Sequence, residues 1–118
     1  MKQITPITSL DQLKDLIRDN ELLFVLFYES HPGYEITYKG HFEALNMLAV
    51  AWRDQPEVWK ILTLDTKQVP EALKEFQNII PGTTVCFRDG EREGQVDGKY
   101  YGLLNSLVSG QTMKSQEC

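Results

Sequence analysis

Seven consecutive residues, Leu22-Leu23-Phe24-Val25-Leu26-Phe27-Tyr28, are apolar throughout and rich in aromatics. Successive side chains of a strand point to opposite faces, so a run without polar alternation must be covered on both sides. Leu22 to Tyr28 is therefore expected to be a central, doubly buried strand. It runs straight into Glu29-Ser30-His31-Pro32-Gly33-Tyr34, a loop that offers no nucleophile beside an obvious base.

The flanking segments supply the cover. Residues 3–8 read as a short strand, and Pro6, which cannot donate to a ladder, places it at a sheet edge. Residues 9–20 read as a helix, with Ser9 and Gln12 at capping-box spacing and Leu10, Leu13, Leu16 and Ile17 on one face. A second helix over 41–53 aligns Phe42, Leu45, Leu48, Ala49 and Trp52 on one stripe. Residues 58–64 form a strand closed by Asp65, and 69–76 a short helix with Pro70 in its first turn, where a missing N–H costs least. Residues 83–88 form a strand, and Asp89-Gly90 is a hairpin signal that sends the chain back antiparallel to about Gly98. A last helix from Lys99 to about Ser109 is expected to bury Tyr100, Leu103, Leu104 and Leu107. The order β-α-β-α-β-α-β-β-α predicts an α/β domain, a mixed sheet of about five strands flanked by about four helices. One domain over 1–109 and a polar tail over 110–118 account for all 118 residues.

A net charge of −5 argues against nucleic acid as a partner, because phosphate neutralisation needs basic side chains. No apolar run is long enough for a membrane helix, and the first residues lack the apolar core of a secretory signal, so a cytoplasmic location is expected. The two cysteines do not make a disulfide framework. Cys86 falls inside an expected strand and reads as core, while terminal Cys118 has no basic neighbour to activate it. His31 and His41 lack the spacing of common zinc motifs, and a metal would need Glu29, Glu35 or Glu43 to converge on them. No phosphate-cradling glycine motif is present, and no cofactor is expected.

The element order resembles that of thioredoxin, and the resemblance reaches individual residues. Phe27 and Tyr28 match the aromatic pair that precedes the family's Trp-Cys-Gly-Pro-Cys loop, His31 stands at the tryptophan and Gly33 at the glycine. Ile80-Pro81-Gly82-Thr83-Thr84-Val85-Cys86-Phe87, followed by Asp89-Gly90, is similar to the family's Ile-Pro-Thr, strand and glycine turn. Val96-Asp97-Gly98 matches the glycine after the last strand. The match runs to about Ser109, with Gly82 as an extra residue between proline and strand. The resemblance implies that Pro81 is cis and faces the loop holding His31.

The departure from the family is chemical. Its two redox cysteines fall on Pro32 and Glu35, and its buried acid on Leu26. Thiol–disulfide exchange needs an attacking thiolate and a resolving thiol, and neither residue supplies one. The expectation is a redox-inactive thioredoxin-like module that binds another protein or an extended peptide, as adaptor or chaperone. His31, Pro32, Gly33, Tyr34, Ile80 and Pro81 would form the contact surface. Tyr34 would be the aromatic anchor, Pro32 and Gly33 would shape the connection, Pro81 would fix its loop and Ile80 would offer backbone groups. A monothiol or glutathione-dependent enzyme on the same scaffold is the alternative, and self-association through the same surface is a third reading.

Overall fold

A computed structural model describes residues 3–97 and 101–116. The elements run β1 (Ile4–Ile7), α1 (Leu10–Asp19), β2 (Leu22–Tyr28), α2 (Tyr34–Thr37), α3 (Lys39–Ala51), β3 (Trp59–Asp65), α4 (Ala72–Glu75), β4 (Thr83–Arg88), β5 (Glu91–Asp97) and α5 (Tyr101–Gln116). The strands form one mixed sheet ordered β1-β3-β2-β4-β5. β1 and β2 lie parallel to β3, while β4 runs antiparallel to both β2 and β5. The expected fold class is therefore the observed one.

β2 is the middle strand, and its alternation divides the core. Leu23, Val25 and Phe27 pack with Leu13, Ile17, Val69, Ala72 and Ile79, beneath α1 and α4. Leu22, Phe24 and Leu26 pack with Leu45, Leu48, Trp52, Trp59 and Leu104, beneath α3 and α5. All six of these β2 side chains are fully buried. Burying each contributes about 1.5–3 kcal/mol relative to exposure, so the strand read first in the sequence also anchors both layers.

Local signals hold with small shifts. The Ser9 hydroxyl accepts the Gln12 N–H at 3.1 Å, but the Gln12 side chain accepts from the Thr8 N–H at 2.9 Å, one residue outside the usual capping box. β1 with Pro6 is an edge strand. Asp89 and Gly90 take φ of 50° and 86°, the pair of positive values that a tight hairpin requires. A bulge between Cys86 and Phe87 interrupts the β4–β5 ladder.

Three boundaries differ from expectation. The second helix begins at Lys39 and follows directly on α2, with Tyr38 as the joint. The helix read over 69–76 is α-helical only at Ala72–Glu75, because residues 65–71 are wound as successive turns on the Asp65 and Val69 carbonyls. The last helix continues past Ser109 to Gln116. Gln111 is buried there: its side-chain carbonyl accepts from Arg88 Nε at 2.9 Å, and Arg88 Nη2 donates to its main-chain carbonyl. A polar residue held by an arginine at the end of β4 leaves no apolar period for a sequence reading to follow. Gly98, Lys99, Tyr100 and Cys118, and the side chains of Tyr101 and Leu103, lie outside the described residues.

The expected cis bond at Pro81 is corrected. No cis peptide bond occurs among the described residues, and the Ile80–Pro81 bond is trans. Gly82 is the reason. It takes φ of 99°, and the Thr83 N–H donates to the Ile80 carbonyl at 3.1 Å. Proline second, glycine third with positive φ, and a closing bond from fourth to first make a type II turn, which reverses the chain around a trans proline.

Candidate functional site

The loop that leaves the C-terminal end of β2 carries four of the sequence-predicted residues, and the start of that loop is held by short hydrogen bonds. The Tyr28 carbonyl accepts from the Thr66 N–H at 2.7 Å and from its hydroxyl at 3.1 Å. Asp65, 6 % exposed, accepts through one carboxylate oxygen the N–H of Ser30 at 3.0 Å and of Lys67 at 2.9 Å. Burial pushes the Asp65 carboxyl up. Hydrogen bonds from Ser30 and Lys67, with the Lys67 charge, outweigh it and hold the group below the usual aspartate range. Tyr28 is shifted upward, first by burial and then by the nearby Asp65 and Tyr34.

The loop then makes a second Pro-Gly turn. The Tyr34 N–H donates to the His31 carbonyl at 2.9 Å, and Gly33 lies at φ 83°, ψ 13°, the third-position geometry of a type II turn. Residues 31–34 and 80–83 are thus built alike, each with an x-Pro-Gly-x core. His31, Pro32 and Gly33 are exposed, and Glu35 is exposed in α2. Tyr34 is half-buried, its ring stacked on Tyr28 with centroids 5.8 Å apart at 20°. Ile80 is 62 % exposed and Pro81 is exposed.

The two turns meet through residues that the sequence reading did not assign to the site. The Gly82 N–H donates to the Phe27 carbonyl at 2.7 Å. A Cβ on Gly82 would stand 3.1 Å from His41 Nε2 and 3.8 Å from Tyr38 Cε1. Tyr38, buried, also packs against His41 at 5.3 Å, Tyr28 at 5.9 Å and His31 at 6.3 Å between ring centroids. Its hydroxyl faces the Glu29 N–H at 3.4 Å. The signal that could have found it is the spacing of Tyr34, Tyr38 and Phe42. Four-residue steps share a helix face, and all three rings pack on Tyr28.

Both histidines pack against Tyr38. His31 Nδ1 lies 2.9 Å from the Pro32 carbonyl, and His41 packs into the joint. Among the described residues no three His, Cys, Asp or Glu side chains form a group able to hold a metal ion. Cys86 is fully buried within the sheet, opposite Phe24. Leu26, also fully buried, lies between Thr63 and Thr84 in the ladder, so no ionisable side chain stands on the strand at that level. No described helix is long and apolar enough to cross a membrane.

Neither the family models nor the curated proteins give a match to this sequence. Solved structures do. Oxidized mitochondrial thioredoxin 3 from Saccharomyces cerevisiae superposes with a TM-score of 0.74 at 24% identity, over 91% of this chain and 94% of that one. Thioredoxin from Trypanosoma brucei brucei gives 0.77 at 16% identity, over 94% and 92%. Schistosoma mansoni thioredoxin gives 0.69 at 16% identity, over 92% and 94%. Similarity that spans nearly the whole of both chains leads to one conclusion: this chain has the thioredoxin fold, without a Cys-x-x-Cys pair.

Proposed function

We propose that this protein is a binding module that holds an extended segment of another protein at the two Pro-Gly turns, without thiol–disulfide exchange. The observation that carries the reading is the pairing of shape with missing chemistry. Exposed Ile80 and Pro81 stand on a turn bonded to the end of β2, beside a loop whose exposed positions 32 and 35 are proline and glutamate. Exchange requires thiolates in that loop, whereas gripping an extended chain requires only a rigid surface and backbone groups. The Ile80 carbonyl already accepts the turn bond from Thr83, so its N–H and side chain are the groups to offer. The reading places the module in the cytoplasm, as its fold rests on an apolar core and not on a cysteine framework.

The test pairs wild type and Ile80→Asp as baits under reducing conditions, with a dithiol-driven disulfide-reduction assay alongside. Ile80 is exposed, so the substitution leaves the core intact. A partner retained by the wild type and lost by the variant, with no catalysed reduction, is the expected result. Catalysed reduction, or identical capture by both baits, would sink the reading.

A further inference from the structure

The bulge between Cys86 and Phe87 decides where Arg92 points. Residues opposite one another in an antiparallel ladder share a face, and Thr83, Val85 and Phe87 alternate onto one face of β4. Their partners on β5 are Asp97, Gln95 and Arg92. Arg92 and Gln95 are separated by an odd number of positions, which in a regular strand would put them on opposite faces. The bulge turns Arg92 round to the face of Gln95 and Asp97.

All three side chains then reach the segment that carries Ile80 and Pro81. Arg92 donates through Nη1 to the Gln77 carbonyl and through Nη2 to Gln95 Oε1. Gln95 Nε2 donates to the Asn78 carbonyl at 3.1 Å and to Asp97 Oδ1 at 3.3 Å. The same Asp97 oxygen accepts the Thr83 hydroxyl at 2.8 Å. One chain of hydrogen bonds therefore runs along β5 from the Gln77 carbonyl to the Thr83 side chain and brackets both ends of residues 77–83. Within the bracket Asn78 takes φ of 62°, a left-handed value that asparagine tolerates better than most residues. The bond from Gln95 fixes the peptide plane that follows it, from which Ile79 turns into the core and Ile80 out to solvent.

Resting on the reading that the Ile80–Pro81 turn binds a partner, we propose that Arg92, Gln95 and Asp97 are positioning residues that hold this turn in its binding shape before the partner arrives. A surface fixed beforehand avoids part of the ordering cost of association. Side-chain hydrogen bonds add little net stability to a fold, so the effect of these falls on the turn. Arg92 acts through its planar fork, which spans two acceptors, and a lysine would bring the charge without the fork.

Arg92→Lys and Gln95→Met are compared with wild type on the isotopically labelled whole protein, and as baits in lysate under reducing conditions beside wild type and Ile80→Asp. Both variants are expected to keep the urea midpoint and the amide signals of Leu23, Val25 and Leu62. The amides of Asn78, Ile79, Ile80 and Gly82 should gain microsecond-to-millisecond exchange, read by relaxation dispersion. Each variant should retain about three- to ten-fold less of the partner that Ile80→Asp loses. Exchange already present in wild type, or absent from the variants, overturns the inference while the binding reading stands. Undiminished retention does the same, and so does a fall in the urea midpoint with disturbed core amides, which would make these residues props of the fold alone. If wild type retains nothing that Ile80→Asp loses, the binding reading itself falls and the positioning role goes with it.

Discussion

The N–H of Gly82 donates to the carbonyl of Phe27 at 2.7 Å, so the Pro81 turn hangs from the last core residue of β2. Gly82 can do this because φ of 99° is open to glycine. Gly82→Ala is expected to cost about 1–3 kcal/mol in urea unfolding, from the positive φ together with crowding of the His41 ring. An unchanged midpoint would show that the turn does not depend on glycine.

Asp65 gives a pH signature. Its folded-state pKa lies below the ordinary value, so its contribution is complete above about pH 5 and fades as pH falls through about 4 and lower. Asp65→Asn retains an acceptor for the Ser30 and Lys67 amides but not the charge. We expect it to be about 1–2 kcal/mol less stable than wild type at pH 6, with the gap closing toward pH 3. A gap that stays constant over that range would remove the carboxylate from the account.

Cys86 is fully buried, so its thiol is expected to react only when the sheet opens. In a Cys118→Ser variant, a thiol reagent should modify the native protein at least a hundredfold more slowly than the urea-unfolded chain. Rapid native modification would place Cys86 within reach of solvent and revive a thiol-dependent role.

The polar end of α5 is structural. Ending the chain at Ser109 removes Gln111 and both acceptors it gives to Arg88. The truncation is expected to cost about 1–3 kcal/mol, the scale of charge-assisted hydrogen bonds lost beside a buried group. Gln111→Ala, which keeps the helix and loses only the side-chain acceptor, should cost less than half as much. If the truncated chain is as stable as wild type, the Arg88 contacts add nothing.

The sheet was legible because its core residues obey a simple period. Leu22 to Phe27 alternate between two buried layers, and Asp89-Gly90 and Pro6 each fit one backbone geometry. The site was legible only as a location. His31 to Tyr34 follow β2 in the chain and Gly82 ties the Ile80-Pro81 turn to its last core residue, yet Tyr38 and His41, which pack between the two turns, looked like ordinary helix residues. The proline isomer was misread because resemblance carried over a loop one residue shorter. Pro81-Gly82 read on its own terms, like Pro32-Gly33, signals a type II turn. Gln111 escaped because a hydrogen bond to a residue on another element leaves no local pattern.

The two outer strands of the sheet bear on how this protein behaves when crowded. β1 offers four residues, one of them proline, and β5 carries Glu91, Arg92 and Glu93 beside a bulge. Neither rim presents the long, flat, uncharged ladder that a second chain could extend. The rims of the sheet therefore give a second copy little backbone to pair with. The most exposed large apolar side chains among the described residues, Ile36 and Ile80, lie instead just past the first Pro-Gly turn and at the start of the second.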